Sequence, residues 1–539
     1  MRGAILLHIC LGLSAWLSTS YVKAEDPYRF FTWVITYGQI APLGVKQRGI
    51  LINGQFPGPT ISCITNDNII VNVINKLDEP FLITWLVHGI KQRKGSWEDG
   101  VLGTNCPIPP NSNWTYKMQM KDQIGTYNYY PSTLMHRAAG GFGGFNIVAR
   151  SIIPIPYPKP YDEFTLLVSD WWNKDNKVLQ KILDDGTPFP PPDGLLINGS
   201  PKSTKFTGIK GQTYLIRVSN LCLVSSINFR IQGHILVLVE VEGSHTMQDS
   251  YESLDVHPGQ SSTFLVTLRA SILQDYYIVA SSRFTKPLLT ATAILHYDGS
   301  TTQPAGPLPS GPAGQLHWSM RQARTIRWNL TANAARPNPQ GSYHYGTIPI
   351  VRTIVLANSA PQISGKKRYA LNGVSYVNPS TPLKLADYFN ISGVFVLNAI
   401  KDFPTSAPAA QGVSVFGITL HDYMEVVFQN NENNLQSYHL AGFDFWAVGY
   451  GGGQWNITMR KLYNLVDATT RNTVQVYPNG WTAILISMDN KGMWNLRSQI
   501  WPRRYLGQEA YMRVWNSERS LYTEYDIPDN ALLCGKAKA

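Results

Sequence analysis

The side chains of this 539-residue chain that could do chemistry are spaced badly for metal work. There are eleven histidines, and the closest pair, His234 and His245, lie eleven residues apart. A β-strand turns residues i and i+2 to one face, so it delivers two imidazoles to one metal as His-x-His. No such pair occurs, and no cysteine is followed at short range by a histidine. That excludes pairwise imidazole ligation and a contiguous Cys-His thiolate site of the kind cycling copper favours. No Cys-x-x-Cys occurs either, which removes zinc knuckles and dithiol redox motifs. What is concentrated is positive charge beside aromatic rings. RSQIWPRRYLGQ, residues 497–508, sets Arg497, Arg503 and Arg504 around Trp501 and Tyr505. Two readings are open. The arginines could form a cationic, aromatic-walled pocket for an anionic sugar. Alternatively, they pair with buried carboxylates or carbonyls, an arrangement that need not add net stability although losing one partner is costly.

The elements that must carry these residues are strands. NIIVNVINKL (68–77), TYLIRVSNL (213–221), SSTFLVTLRA (261–270) and YMEVVFQN (423–430) are short alternating runs that end in turn residues. Helical periodicity is almost absent, which predicts an all-β chain of sandwiches. IPIPYPKPY (153–161) and STTQPAGPLPSGPAG (300–314) punctuate the strands, the second as an extended, exposed linker. Asn-Gly follows an apolar strand in ILINGQFPGPTI (50–61), LLINGS (195–200) and YALNGVSYV (369–377), a weak threefold echo of turns needing positive φ. Three sandwiches are expected, near 25–152, 160–299 and 315–539.

The first 24 residues have the three parts of a secretory signal and are too short to span a membrane. No later run is long and uncharged enough to cross one, and the tail NALLCGKAKA lacks a lipid-anchor signal. The chain is expected to be secreted. Cys63, Cys106, Cys222 and Cys534 remain after removal of Cys10, and in an oxidising compartment they read as two long-range disulfides with three pairings open. Sequons at Asn113, Asn198, Asn329, Asn390 and Asn456 fit glycosylation, Asn198 being weakest because Pro201 follows its NGS. The net charge of +11, without a basic run interleaved with aromatics, argues against nucleic acid and towards acidic polysaccharide.

Longer phrases then carry a resemblance. INGQFPGPTI (52–61), GIKQRKGSWEDG (89–100), NCPIPPNSNWTY (105–116), DQIGTYNYYPS (122–132) and HRAAGGFGGFNIVAR (136–150) belong to the first unit. HLAGFDFWAVGYG (439–451) and GMWNLRSQIWPRRYLGQ (492–508) belong to the third. In wording and order the chain resembles plant multicopper oxidases, ascorbate oxidase and laccase among them. WEDGVLGTNCPIP, YYPSTLMHRAAGG and GSHTMQDSYESLDVHPGQ fit the branch of skewed-type and pollen-specific ascorbate-oxidase homologues. The resemblance runs from about 27 to 534 and implies three cupredoxin-like Greek-key sandwiches.

It also implies where copper would sit. In place of His-Trp-His-Gly stands TWLVHG (84–89), where one register keeps His88 and another makes part of LVH an insertion. The next His-x-His is Tyr130-Pro131-Ser132. His-Pro-x-His-x-His is Gln436 to Ala441, keeping His439, and His-Cys-His is Arg497-Ser498-Gln499. The later blue-site histidine is Arg503, and the axial position is Gln508. At most His88 and His439 are relic ligand positions, and no catalytic residue is expected. Asp99-Gly100 reads as a turn and His257-Pro258-Gly259 as a strand entry. The resemblance implies a Cys106–Cys534 disulfide, which leaves Cys63 and Cys222 as the second pair. No cofactor is expected, and the resemblance points to a non-catalytic wall or apoplastic role in directional or tip growth. Copper enters under the alternative of a copper-dependent oxidoreductase with a reduced site. A third reading is an acidic-polysaccharide, pectin-binding protein.

Overall fold

The computed structural model describes residues 26–85, 89–312, 316–330 and 344–538. The signal segment and His88 lie outside the described residues. Three pairs of sheets follow one another along the chain. The first sandwich faces a four-stranded sheet, built on Tyr28–Ile40 and Asn68–Asn75, with another containing Gly125–Pro131 and Gly143–Val148. Asn68–Asn75 buries every second residue, as its alternation requires. Ile69, Val71 and Val73 point inward while the strand pairs parallel to Tyr28–Ile40 and antiparallel to Asn113–Gln119. The second sandwich packs a seven-stranded sheet on a five-stranded one, and the third packs an eight-stranded sheet on a six-stranded one.

The Asn-Gly echo is a true structural repeat. Asn53-Gly54, Asn198-Gly199 and Asn372-Gly373 all have positive φ, between 45° and 81°, which those two residue types tolerate. The strand Tyr423–Asn430 shows why alternation alone understates burial. Met424, Val426 and Phe428 enter an apolar core continuous with that of the first sandwich, while Tyr423 and Val427 enter another beside Trp446 and Trp481. The second sandwich keeps a separate core. The first and third sandwiches therefore share a core.

The Pro-rich linker is exposed over most of 301–312, but it is tethered. The carbonyls of Pro309 and Pro312 accept from Arg230 Nε (2.7 Å) and Arg283 Nη1 (2.9 Å). The third unit does not open with a strand. A helix, Leu316–Thr325, packs on the second sandwich, where Gln322 Oε1 accepts from Asp255 N at 2.9 Å. Among the described residues no helix is long and apolar enough to cross a membrane.

Cys106 and Cys534 form a disulfide across 428 residues, tying the tail to the first sandwich. Trp97 Nε1 and Trp114 Nε1 hold the same tail through the carbonyls of Tyr525 (3.1 Å) and Asn530 (2.9 Å). The second expected disulfide is corrected: Cys63 and Cys222 are buried free thiols. Each faces the core of its own sandwich, with Sγ directed at Asn146 O (3.7 Å) and Val168 O (3.9 Å) respectively. Burial pushes the Cys63 thiol up to about 12 and raises Cys222 well above its ordinary value, so both are inert thiols.

Candidate functional site

Two neighbouring groups of side chains occupy the relic positions. The first lies within the third sandwich. The strand Gln436–Leu440 pairs with Gly492–Ser498, and the turn of helix Trp501–Tyr505 brings Arg503 and Gln508 back onto them. Gln508 Nε2 donates to Gln436 Oε1 at 3.3 Å and to the Tyr438 hydroxyl. Arg503 Nη1 reaches Gln508 Oε1 at 3.4 Å. The same guanidinium makes a bidentate pair with Glu432 at 2.9 and 2.5 Å, with the Tyr369 ring 4.4 Å beneath it. Ser498 Oγ accepts from Ile500 N at 3.1 Å. Gln436, Ser498 and Gln508 are fully buried. Burial pulls Arg503 down, but its pairing with Glu432 outweighs this and holds it above its ordinary value. Burial likewise raises Glu432, and Arg503 reverses the effect and leaves it lowered. Amides, a hydroxyl and a guanidinium stand at the positions where the resemblance implies imidazole and thiolate, and the amides and the guanidinium bond to one another while the hydroxyl takes Ile500 N.

The second group lies between the first and third sandwiches. Tyr130 hydroxyl donates to Gln499 Oε1 at 3.1 Å, across 369 residues of sequence. Ser132 Oγ donates to Gly100 O at 2.5 Å. His439 faces Arg497 across two antiparallel strands, and its Nδ1 is 3.0 Å from Thr473 Oγ1. Arg497 donates to Asn495 Oδ1 at 2.7 Å, and Asn495 Nδ2 donates to Glu509 Oε1 at 2.6 Å. Arg137 stacks over Tyr130 at 3.8 Å, and Arg504 lies over Trp501 at 4.5 Å, with its Nε 3.6 Å from Glu509 Oε2. Asp99 closes the group, with Thr84 Oγ1 at 3.2 Å from its Oδ1. Burial pushes Asp99 up to about 6 against the opposing charge of Arg497. Burial also lowers Arg497, yet Tyr130, Asp99 and Glu509 bring it above its ordinary value.

Of the two readings left open for Arg497, Arg503 and Arg504, this geometry matches burial and pairing with carboxylates rather than an open pocket of all three. Arg497 is fully buried, Arg504 is 8% exposed, and Arg503, which edges a surface cleft, is neutralised by Glu432. Asp99-Gly100 is a turn and more than a turn. Gly100 has φ +73°, and a Cβ there would lie 1.8 Å from Ile83 O, while Asp99 supplies a buried counter-charge. His257 is a buried histidine bonded to Ser226 Oγ at 2.9 Å, and His136 is bonded to Thr133 Oγ1 at 3.0 Å. Among the described residues no three His, Cys, Asp or Glu side chains converge as a metal site.

Sequence reasoning missed Glu432, Glu509 and Tyr438. The strand EAYMRVW (509–515) carried a faint signal, because period two sets Glu509 on one face with Tyr511 and Arg513. Of the sequons, Asn113, Asn390 and Asn456 are exposed. Asn329 is half-buried. Asn198 is held by its own side chain, bonded to Leu167 N (2.7 Å) and Thr165 O (2.9 Å).

Multicopper oxidase family models match residues 34–151, 162–300 and 380–520, one to each sandwich. The L-ascorbate oxidase homolog of Brassica napus is 52% identical over 100% of this chain and 98% of its own length. The Arabidopsis thaliana monocopper oxidase-like protein SKU5 is 48% identical over 96% of this chain and 91% of its own. Among solved structures, the laccase of Botrytis aclada superposes with a TM-score of 0.77 at 22% identity, covering 91% of this chain and 88% of that one, a likeness of fold. With three cupredoxin domains and half of its residues shared along the whole length, the chain belongs to the plant multicopper oxidase family, in the branch of the L-ascorbate oxidase homologs and SKU5-like proteins.

Proposed function

We propose that this chain is a secreted glycoprotein that keeps the oxidase fold and has given up copper oxidation, acting in the plant cell wall during directional or tip growth. One observation carries the non-oxidase reading. The residues at the blue-site positions form a closed hydrogen-bond set, Gln436–Gln508–Arg503, anchored on Glu432. A cupric ion there would meet a guanidinium rather than a thiolate, and like charges in a buried site repel strongly. At the interdomain positions, Arg497 takes a place that the resemblance gives to an imidazole and faces His439 across the strands. The wall role rests on the branch resemblance, the secretory leader and the exposed sequons.

A second reading keeps one metal. It is supported by the words "monocopper oxidase-like" in the name of the SKU5 relative and by the retention of His439. Metal analysis of the purified secreted protein, together with oxygen uptake, separates the two. The non-oxidase reading expects substoichiometric copper and no chelator-sensitive uptake. One copper per chain with uptake abolished by a chelator would replace it with the second.

A further inference from the structure

Beside the third-sandwich group, and sharing Arg503 with it, the seam between the second and third sandwiches carries a groove. Two clefts, of about 1020 and 520 Å³, share Arg283, Phe284, Lys286 and Asn434 in their walls and so run into each other. The tethered linker forms one bank of the larger cleft through Leu308 and Ser310 to Pro312. Among the described residues no aspartate or glutamate lines either cleft, whereas Arg230, Arg283, Lys286, Lys367 and Arg503 do.

Two of these five cations are already neutralised. Arg283 pairs with buried Asp255 at 3.0 Å and Arg503 with Glu432. The other three, Arg230, Lys286 and Lys367, form no ion pair among the described residues. Glu432 also bears on Lys367, but its Oε1 is engaged by Asn358 at 2.6 Å as well as by Arg503. Arg230 is 5% exposed, and its bonds go to neutral atoms: Pro309 O at 2.7 Å, Ser281 Oγ at 2.7 Å and Asn228 Oδ1 at 3.2 Å. Burial, and after it the nearby Arg283, pull its guanidinium down to about 10. A guanidinium in that condition gains from an arriving anion. The remaining walls suit a sugar. Phe284 and Tyr369 are half-buried rings that already carry Arg283 at 4.6 Å and Arg503 at 4.4 Å, so they offer a sugar their remaining apolar surface, and Asn433 and Asn434 are exposed amides able to bond hydroxyls. Lys367 Nζ is 5.4 Å from the Tyr369 ring, which places a cation beside an aromatic platform.

We propose that this groove binds a linear uronic-acid oligosaccharide, its carboxylates at Arg230, Lys286 and Lys367, its hydroxyls at the asparagines and its ring faces on Phe284 and Tyr369. The assignment deepens the wall reading and is independent of copper, so copper content and sugar binding fail separately. The test is calorimetric titration of the full secreted protein with de-esterified oligogalacturonate at low salt, beside a fully methyl-esterified oligomer of equal length. The de-esterified oligomer is expected to bind, the ester not, and the double variant Lys286→Gln/Lys367→Gln to weaken binding by about tenfold or more. Lys46→Gln/Lys210→Gln, exposed and outside the groove, is expected to shift affinity by less than about twofold. Absence of binding at low salt overturns the proposal. So does equal weakening by the groove and control pairs, or an acidic peptide that binds as tightly and responds to the same variants.

Discussion

The two regions where the resemblance implies copper are built in different ways. Within the third sandwich, the blue-site positions hold a short chain of neutral donors and acceptors that ends in one ion pair, Arg503–Glu432, near a cleft. Between the sandwiches, several charges replace one another's solvent. Arg497, Arg504 and Arg137 are buried, with Asp99 and Glu509 among them. At the positions the resemblance gives to the blue site, two glutamines and one guanidinium bond each other beside Ser498, whose hydroxyl takes Ile500 N. At the positions it places between the sandwiches, cationic side chains gather instead. Asp99, at a position where the resemblance puts a carboxylate near the cluster, is still supplied with positive charge, by Arg497. Buried charge arranged in this way confers little net stability but is expensive to disrupt.

The largest expected effect is all-or-none. If the blue-site positions still converge, Gln436→His/Ser498→Cys/Arg503→His/Glu432→Gln should bind one Cu(II) and acquire an intense visible thiolate-to-copper band, since two imidazoles and a thiolate define that site. Glu432→Gln is included so that no carboxylate is stranded. A well-folded variant that stays colourless in excess copper would break the claim that Gln436, Ser498 and Arg503 form one site. Next come the cations themselves. Arg497→Ala is expected to cost about 3–5 kcal/mol in urea unfolding, because it removes the main counter-charge of buried Asp99 and leaves Glu509 with Arg504 alone. Arg503→Ala is expected to cost less, about 1–3 kcal/mol, because Glu432 has access to solvent. A reversal of that order would mean that the third-sandwich pair, not the interdomain charges, is the more dependent on its cation.

These regions were unequally legible. The missing ligands could be read directly, since His-x-His and Cys-His are local patterns and their absence is a fact of the sequence. The Asn-Gly turns and the strand Asn68–Asn75 were legible for the same reason: a turn's φ and a strand's alternation depend on adjacent residues. Partners distant in sequence were not. Arg503 meets Glu432 across 71 residues and Tyr130 meets Gln499 across 369, and no spacing rule connects them. Cys63 and Cys222 read as a pair because four cysteines invite two bonds, but the sandwiches turn each thiol into a separate core. The arginine-rich stretch likewise left a pocket and buried pairing both open, because sequence shows charge and does not show the carboxylates folded against it.

The smallest effect separates the regions by the sign of their pH response. Next to Asp99, Glu98 accepts from Lys117 N at 3.1 Å, and burial pushes its carboxyl up to about 8 from an ordinary 4.5. A carboxyl raised on folding binds its proton more tightly in the native state, so stability is lost as pH climbs through that window. Asp99, raised to about 6, acts in the same direction. Glu432, lowered chiefly by Arg503 against its burial, acts in the opposite direction. Its contribution is present above the ordinary carboxylate range and is lost as pH falls through its depressed value. Unfolding measured from pH 5 to pH 8 should therefore show the wild type weakening towards pH 8, with Glu98 contributing at most about 1.4 kcal/mol per pH unit. Glu98→Gln should flatten that slope and raise stability most at pH 8, since the amide oxygen can still accept from Lys117 N. Glu432→Gln should leave the slope intact and lower stability at every pH in the range. If Glu98→Gln left the slope unchanged, Glu98 would be charged in the native protein, reached by solvent through the cleft it lines, and the contrast in sign would rest on Asp99 alone.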